Sequence, residues 1–225
     1  MTDKSTIPVI LKGGARTPIG RFLGGLSPLS APELGAIAVR AAIARAGIEA
    51  SDLDEVIMGN VVSAGGGQAP ARQASVNGGV PATIPALTIN KVCGSGLKAV
   101  MLAAQAVRAG DARLVLAGGM ESMSNVPFYA RGLRDGVKLG NQTLEDGLIH
   151  DGLWCSFGDC HMGGHAEYTA DKAGVTRSDA DEFSLRSHQK AVEATREGRF
   201  RNEIVPVEVE GRRGVTVVDT DEGPR

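Results

Sequence analysis

The chain has 225 residues, 42% of them hydrophobic and 22% charged, with a formal net charge of −2. That composition suits a soluble globular protein of one large domain or two small ones, and it excludes the basic balance of a nucleic-acid or anionic-membrane binder. No apolar run reaches the length of a membrane span, and "MTDKSTIPVIL" lacks the apolar core of a secretory signal; three cysteines cannot close a full disulfide framework, so the expected compartment is the reducing cytoplasm.

In chain order, "IPVILKGGARTP" reads as a short buried strand that leaves into a turn set by Gly13, Gly14 and Pro18. "SAPELGAIAVRAAIARAG" predicts a helix. Ser30 and Glu33 form a capping box, Pro32 suits the first turn, and Gly47 ends it. "LDEVIMGNVV" predicts a strand, "QAPARQASVNGG" a short helix with a Gly stop, and "ATIPALTIN" a third strand. "SGLKAVMLAAQAVRAG" is a long helix, apolar on most faces and therefore expected to be buried. "ARLVLAGGME" is a fourth, continuously apolar strand.

Strands that are apolar throughout and alternate with helices predict an α/β fold, a mostly parallel sheet with helices on both faces. From Ser124 to about residue 165 the chain is loop-like, then "SDADEFSLRSHQKAVEATREG" predicts a polar helix capped by Ser178. "NEIVPVEVE" and "GVTVVDTDE" resemble two strands of a hairpin. The expected division is residues 1–123 as an α/β domain and 124–225 as an irregular α+β domain.

Cys93, in "NKVCGSGLKAV", stands just before a helix, where unpaired N–H groups and the helix dipole favour a thiolate. It also falls at the carboxyl end of a strand, where ligands gather in open α/β sheets. Two readings stay open on this pattern, a nucleophile or a small buried residue at a tight junction. In "CSFGDCHMGGH", Cys155, Cys160, His161 and His165 offer metal-ligand types, but the spacing Cys-x4-Cys-His-x3-His matches no standard zinc site, and the expectation is no metal. The blander reading there is a loop and a helix start, with His161 and Met162 on its exposed side. Gly65–Gly67 lack the Gly-Lys-Ser/Thr ending of a phosphate loop. Glu121, at the end of the fourth strand, is expected to orient backbone, and His188 to be a surface residue.

The segments "RTPIGRFLGGL", "PELGAIAVRAA", "GNVVSAGGGQAPARQA", "NKVCGSGLKAV", "AGGMESMSNVP", "DGL" with "HMG", and "GRFRNEIVPVEV" run in order along the chain. Together they resemble the thiolase family, and within it the biosynthetic, acetoacetyl-type enzymes. The resemblance implies a thiolase-like layered fold with a CoA-binding loop domain. It implies that Cys93 is the nucleophile acylated by acetyl-CoA, and that Leu153, His161, Met162 and Arg225 line the coenzyme A groove. The implied reaction is Claisen condensation of two acetyl-CoA to acetoacetyl-CoA, with thiolysis as its reverse. Coenzyme A thioesters are then substrates, no cofactor is permanently bound, and the full-length form is a homo-oligomer, a tetramer, in the cytoplasm, linked to fatty acid metabolism. Neither a nucleic acid nor a membrane is an expected partner. The alternatives are a degradative 3-ketoacyl-CoA thiolase and a non-catalytic CoA-binding fragment of a split thiolase.

The resemblance also implies segments that do not occur in these 225 residues: an Asn-Glu-Ala-Phe motif, a Gly-His-Pro histidine that activates the nucleophile, and a Cys-x-Gly-Gly-Gly acid/base cysteine. The expectation is therefore an absent C-terminal twin domain, a sheet one strand short, exposed apolar surface and little condensation by this chain alone. Gly164 and His165 after "HMG", and "EGPR" at the end, depart from the family pattern within the implied CoA groove.

Overall fold

The computed structural model describes residues 8–212 and 214–225. They fall into two compact units: one takes the chain up to Asn125 together with Asn202–Glu222, and the other takes Val126–Arg201 with Gly223–Arg225.

In the first unit, helix α1 (Ala31–Ala46) starts where the capping pattern predicts. The Glu33 carboxylate accepts hydrogen bonds from both the Ser30 N–H and its hydroxyl, and Gly47 closes the helix at a left-handed φ of 61°. Strand β1 (Glu55–Gly59), helix α2 (Pro70–Asn77), strand β2 (Ala86–Ile89), helix α3 (Ser95–Ala109) and strand β3 (Val115–Gly119) follow. The strands form one parallel sheet in the order β2-β1-β3, with Val56 opposite Ala86 on one side and Leu116 on the other. Central β1 buries Val56, Ile57 and Met58, as a strand covered on both faces must.

Alternation along β1 separates the two faces. Val56 and Met58 pack with Val39 of α1, Ala71 and Ala74 of α2, and Met120, in the main hydrophobic core. Full burial of Val39, Val56 and Met58 stabilises the fold by about 1.5–3 kcal/mol each. Gly59 faces the other way, toward α3. A β-carbon there would come within 2.6 Å of the Ser95 backbone, and one on Gly119 within 3.1 Å of Gly96. Glycines at these points let the first turn of α3 rest directly on the carboxyl ends of β1 and β3.

Two expectations change. Helix α3 is not buried all round: Ser95, Ala99 and Ala103 form its inner stripe, whereas Leu97 is 69% exposed and Met101 is also exposed. Only one face of a helix can meet the sheet, and the small residues are the ones that permit close approach. The expected strand from residue 7 to 18 does not form over its described part, and Ile7 lies outside the described residues. Ile10 and Leu11 are exposed, and only Arg16 makes a bridge, to Ile204. That bridge joins the Arg16 N–H to the Glu203 carbonyl (2.9 Å) and the Val205 N–H to the Arg16 carbonyl (2.8 Å). The segment thus pairs with the chain near residue 204 rather than with the sheet.

Strands β8 (Val207–Gly211) and β9 (Gly214–Val218) form the expected hairpin, paired Val207 to Val218. The sequence reading put it with residues 124–225, but it packs in the first unit. Val207 and Val209, alternating inward, meet Leu26, Leu29, Leu34 and Ile37. Two carboxylates just beyond it hold the loop before α1. Asp221 takes two hydrogen bonds from the Arg16 guanidinium (2.7 and 3.0 Å) and one from the Ile19 N–H. Glu222 accepts from the Arg21 and Gly25 N–H groups.

The second unit is irregular, as its composition predicts. It holds paired strands β4 (Phe128–Tyr129) and β5 (Glu145–Asp146), a π-helical turn at Ile149–Leu153, the tight pair β6 (Trp154–Cys155) and β7 (Cys160–His161), and helices α4 (Met162–Ala173) and α5 (Arg177–Arg196). Helix α5 is capped by Thr176, not Ser178. The Thr176 Oγ accepts the Asp179 N–H, and the Asp179 carboxylate accepts the Thr176 N–H.

Candidate active site

Cys93 sits on the tight turn between β2 and α3, and it is exposed. It does not fill the junction as a core residue; Ser95, 4% exposed, does that. The turn is built by local hydrogen bonds. The Asn90 side chain accepts the Val92 N–H (2.8 Å) and donates to the Val61 carbonyl (3.2 Å). The Ser95 hydroxyl accepts the Lys91 N–H (2.8 Å) and donates to the Val92 carbonyl (2.6 Å). Val92 has a φ of 48°, a left-handed conformation that is rare for a β-branched residue. Such strained positions concentrate at functional sites. The result is a sulfur presented at the start of α3, where Gly94 caps the helix and its first N–H groups lack helical partners.

The neighbouring strand ends are tied together. The Glu121 carboxylate, after β3, accepts from the Asn60 side chain (2.8 Å) and from the Val61 and Val62 N–H groups (2.9 and 3.2 Å). It orients backbone, as the sequence suggested. Asn60 and Asn90 were not singled out there. Their signal is positional: each apolar strand is followed at once by a polar residue, Asn60, Asn90 or, one place later, Glu121.

In the second unit, Leu153 ends the π-helical turn and His161 caps α4, its Nδ1 accepting the Gly163 N–H (3.0 Å). Since Trp154 pairs with His161 across β6 and β7, Leu153, His161 and Met162 gather at the base of one hairpin. His161 and Met162 are exposed. Arg225 belongs to the same unit, its N–H donating to Nδ1 of His188 on α5 (3.3 Å). Among the described residues, no group of three or more His, Cys, Asp or Glu side chains is placed to hold a metal ion.

The first unit also carries a cleft of about 430 Å³, lined by Pro18, Phe22, Leu26, Leu34, Met120 and Ser124 among others, and Cys93 is not part of its lining. Size alone does not locate chemistry here. A thiol side chain, its exposure and the strained turn beside it make Cys93 the candidate instead.

The thiolase N-terminal domain matches residues 9–225. Acetyl-CoA acetyltransferases are similar along nearly the whole chain: that of Cupriavidus necator is 51% identical over 223 residues, covering 99% of this chain and 56% of the relative. That of Pseudomonas aeruginosa is 49% identical over 218 residues (96% and 56%), and a probable one from Escherichia coli 50% identical over 217 residues (96% and 55%). The chain thus spans about half the length of the curated relatives it matches. With the family match running over nearly every residue, the chain belongs to the thiolase family, and the part of that family it matches is the N-terminal domain.

Proposed function

We propose that this chain carries the acyl-accepting part of an acetyl-CoA acetyltransferase, with Cys93 as the nucleophile. The observation that supports the reading is the exposed Cys93 sulfur on a strained turn at the amino end of α3. In this reaction the Cys93 thiolate attacks the thioester carbonyl of acetyl-CoA, a tetrahedral oxyanion forms, and CoA leaves as its thiolate. A second acetyl-CoA gives up an α-proton, its carbanion attacks the acetyl-cysteine carbonyl, and the C–S bond to Cys93 breaks, releasing acetoacetyl-CoA and the Cys93 thiolate. Covalent catalysis divides one difficult step into two easier ones.

Leu153, His161, Met162 and Arg225 are assigned to the coenzyme A moiety, which enters as substrate; no permanently bound cofactor is required. Acetyl-CoA as the acyl donor is supported by what the relatives are called. A homotetrameric full-length assembly and a link to fatty acid metabolism rest on the family resemblance alone, and a cytoplasmic location on the cysteine count. Among the described residues no helix is long and apolar enough to cross a membrane.

The acid/base motifs implied by the family do not occur in these residues, so acylation and condensation separate experimentally. Incubated with acetyl-CoA, the chain is expected to gain one acetyl group on tryptic peptide 92–98, and Cys93→Ala to gain none there. Acetoacetyl-CoA release is expected to be lower by about 100-fold or more than that of a complete thiolase, since one general acid–base group contributes about 100- to 10,000-fold. An unmodified Cys93 peptide at saturating acetyl-CoA would refute the assignment and leave a non-catalytic CoA-binding fragment.

A further inference from the structure

Two cysteines outside the proposed site face each other. Cys155 on β6 and Cys160 on β7 are direct partners in the antiparallel register. Residues so opposed have Cα atoms about 4.5–5.5 Å apart, within the roughly 4.4–6.8 Å that a disulfide spans. The four residues between them, Ser156 to Asp159, are held by the Trp154 indole N–H, which donates to the Asp159 carboxylate (3.1 Å). Both sulfurs border Gly158. Its N–H donates to the Cys155 Sγ (3.3 Å), and a β-carbon on it would lie 3.4 Å from the Cys160 Sγ. His165, one turn into α4, reaches the same spot, with Nε2 3.4 Å from the Cys160 Sγ. Both cysteines are free thiols and half-buried, and the loop is open to small molecules, with Phe157 fully exposed.

We propose that Cys155 and Cys160 are a redox-active dithiol that closes to a disulfide on reaction with a hydroperoxide, with His165 as its proton carrier. Cys155 attacks first. Its thiol is held below the ordinary range by the Gly158 N–H, then by the His165 side chain and the Phe157 N–H, and a thiolate is the reactive form. The Cys155 thiolate attacks one peroxide oxygen and the O–O bond breaks, giving a sulfenic acid and an alkoxide or hydroxide that takes up the proton Cys155 had lost. Cys160 sulfur then attacks the Cys155 sulfur. The S–O bond breaks, and the departing hydroxide leaves as water with the Cys160 proton, passed through His165. In sum, two thiols and one hydroperoxide yield one disulfide, one water and one alcohol, or two waters from hydrogen peroxide. The bond would lock the hairpin between Leu153 and His161.

The test uses the whole reduced chain, hydrogen peroxide and a maleimide block, followed by trypsin, which leaves both cysteines on peptide 139–172. The expected product is that peptide about 2 Da lighter, without maleimide, and with two maleimides after dithiothreitol. In Cys160→Ser, dimedone is expected to label Cys155. His165→Ala is expected to slow closure severalfold. Should that variant fold poorly, the wild-type chain in urea supplies the control, with closure slower by about tenfold than in the folded chain. Equal rates with and without urea would show that chain proximity alone pairs the sulfurs, and would overturn the proposal. Two maleimides after peroxide treatment, or added oxygens in place of lost hydrogens, would overturn it as well.

Discussion

At Val92 a β-branched residue holds a φ of 48° one position before the proposed nucleophile, a backbone state that costs about 1–3 kcal/mol. Its side chain is 55% exposed and contributes little packing. Val92→Gly is therefore expected to raise stability by about 1 kcal/mol in urea denaturation, the gain being limited by glycine's freedom in the unfolded chain. A loss of stability would show that contacts, not backbone strain, dominate at this turn. Glu121 is the opposite case, a carboxylate whose acceptors serve three donors. Glu121→Ala leaves those donors without their partner and is expected to cost about 1–3 kcal/mol, read as a lower urea midpoint at unchanged slope. Cys93 stood out in the sequence as a candidate because the helix that follows it and the end of a strand before it are local signals, which left both a nucleophile and a packing residue open. The support from Asn90 and Ser95 was not legible there, because it depends on which carbonyl a side chain reaches once the turn is formed.

At the scale of elements, caps decide where helices begin. Two hydroxyl residues stand at the start of α5, Thr176 just before it and Ser178 inside its first turn, and the structure selects Thr176, whose hydroxyl reaches the Asp179 N–H while Asp179 answers back. Thr176→Ala is expected to cost about 1 kcal/mol, whereas Ser178→Ala, inside the first turn, is expected to stay within about 0.5 kcal/mol. Thermal unfolding of the two variants separates them, and equal losses would contradict the cap assignment. Ser30 and Gly47 of α1 were both legible, since one pattern satisfied box, proline and stop together. Helix α3 misled because apolar content does not say how many faces have a partner; Leu97 and Met101 have none in the first unit's sheet, and Ala99 and Ala103 do.

At the scale of the first unit, Arg16 and Asp221 are 205 positions apart in the sequence, yet their ion pair closes the loop before α1. The Arg16 guanidinium, then the Ile19 N–H, hold the Asp221 carboxyl below its usual range, and the Arg21 and Gly25 N–H groups do the same for Glu222. A depressed carboxylate contributes stability above its unfolded value, about 3.9 for Asp and 4.3 for Glu. That contribution is lost as pH falls through the lower folded value. The unit is thus expected to hold this stability from about pH 5 upward and to lose it below about pH 4. Asp221→Asn is expected to be less stable at pH 7 and to show a shallower fall between pH 4 and pH 2, measured by urea midpoints across pH. An unchanged acid limb would remove Asp221 from the account.

The sequence by itself determined the α/β class, the parallel strands, the capped helix α1 and the hairpin, and it offered Cys93 as a candidate with two readings open. These rest on periodicity, capping chemistry and short motifs, all of which act within a few residues. Only the tertiary structure decided that Ile10 and Leu11 stand outside the sheet, that Val207 and Val209 pack on α1, and that Asp221 and Glu222 hold a loop at the other end of the chain. It also set Cys155 against Cys160, because a hairpin register is fixed by pairing across strands and cannot be read from either strand alone.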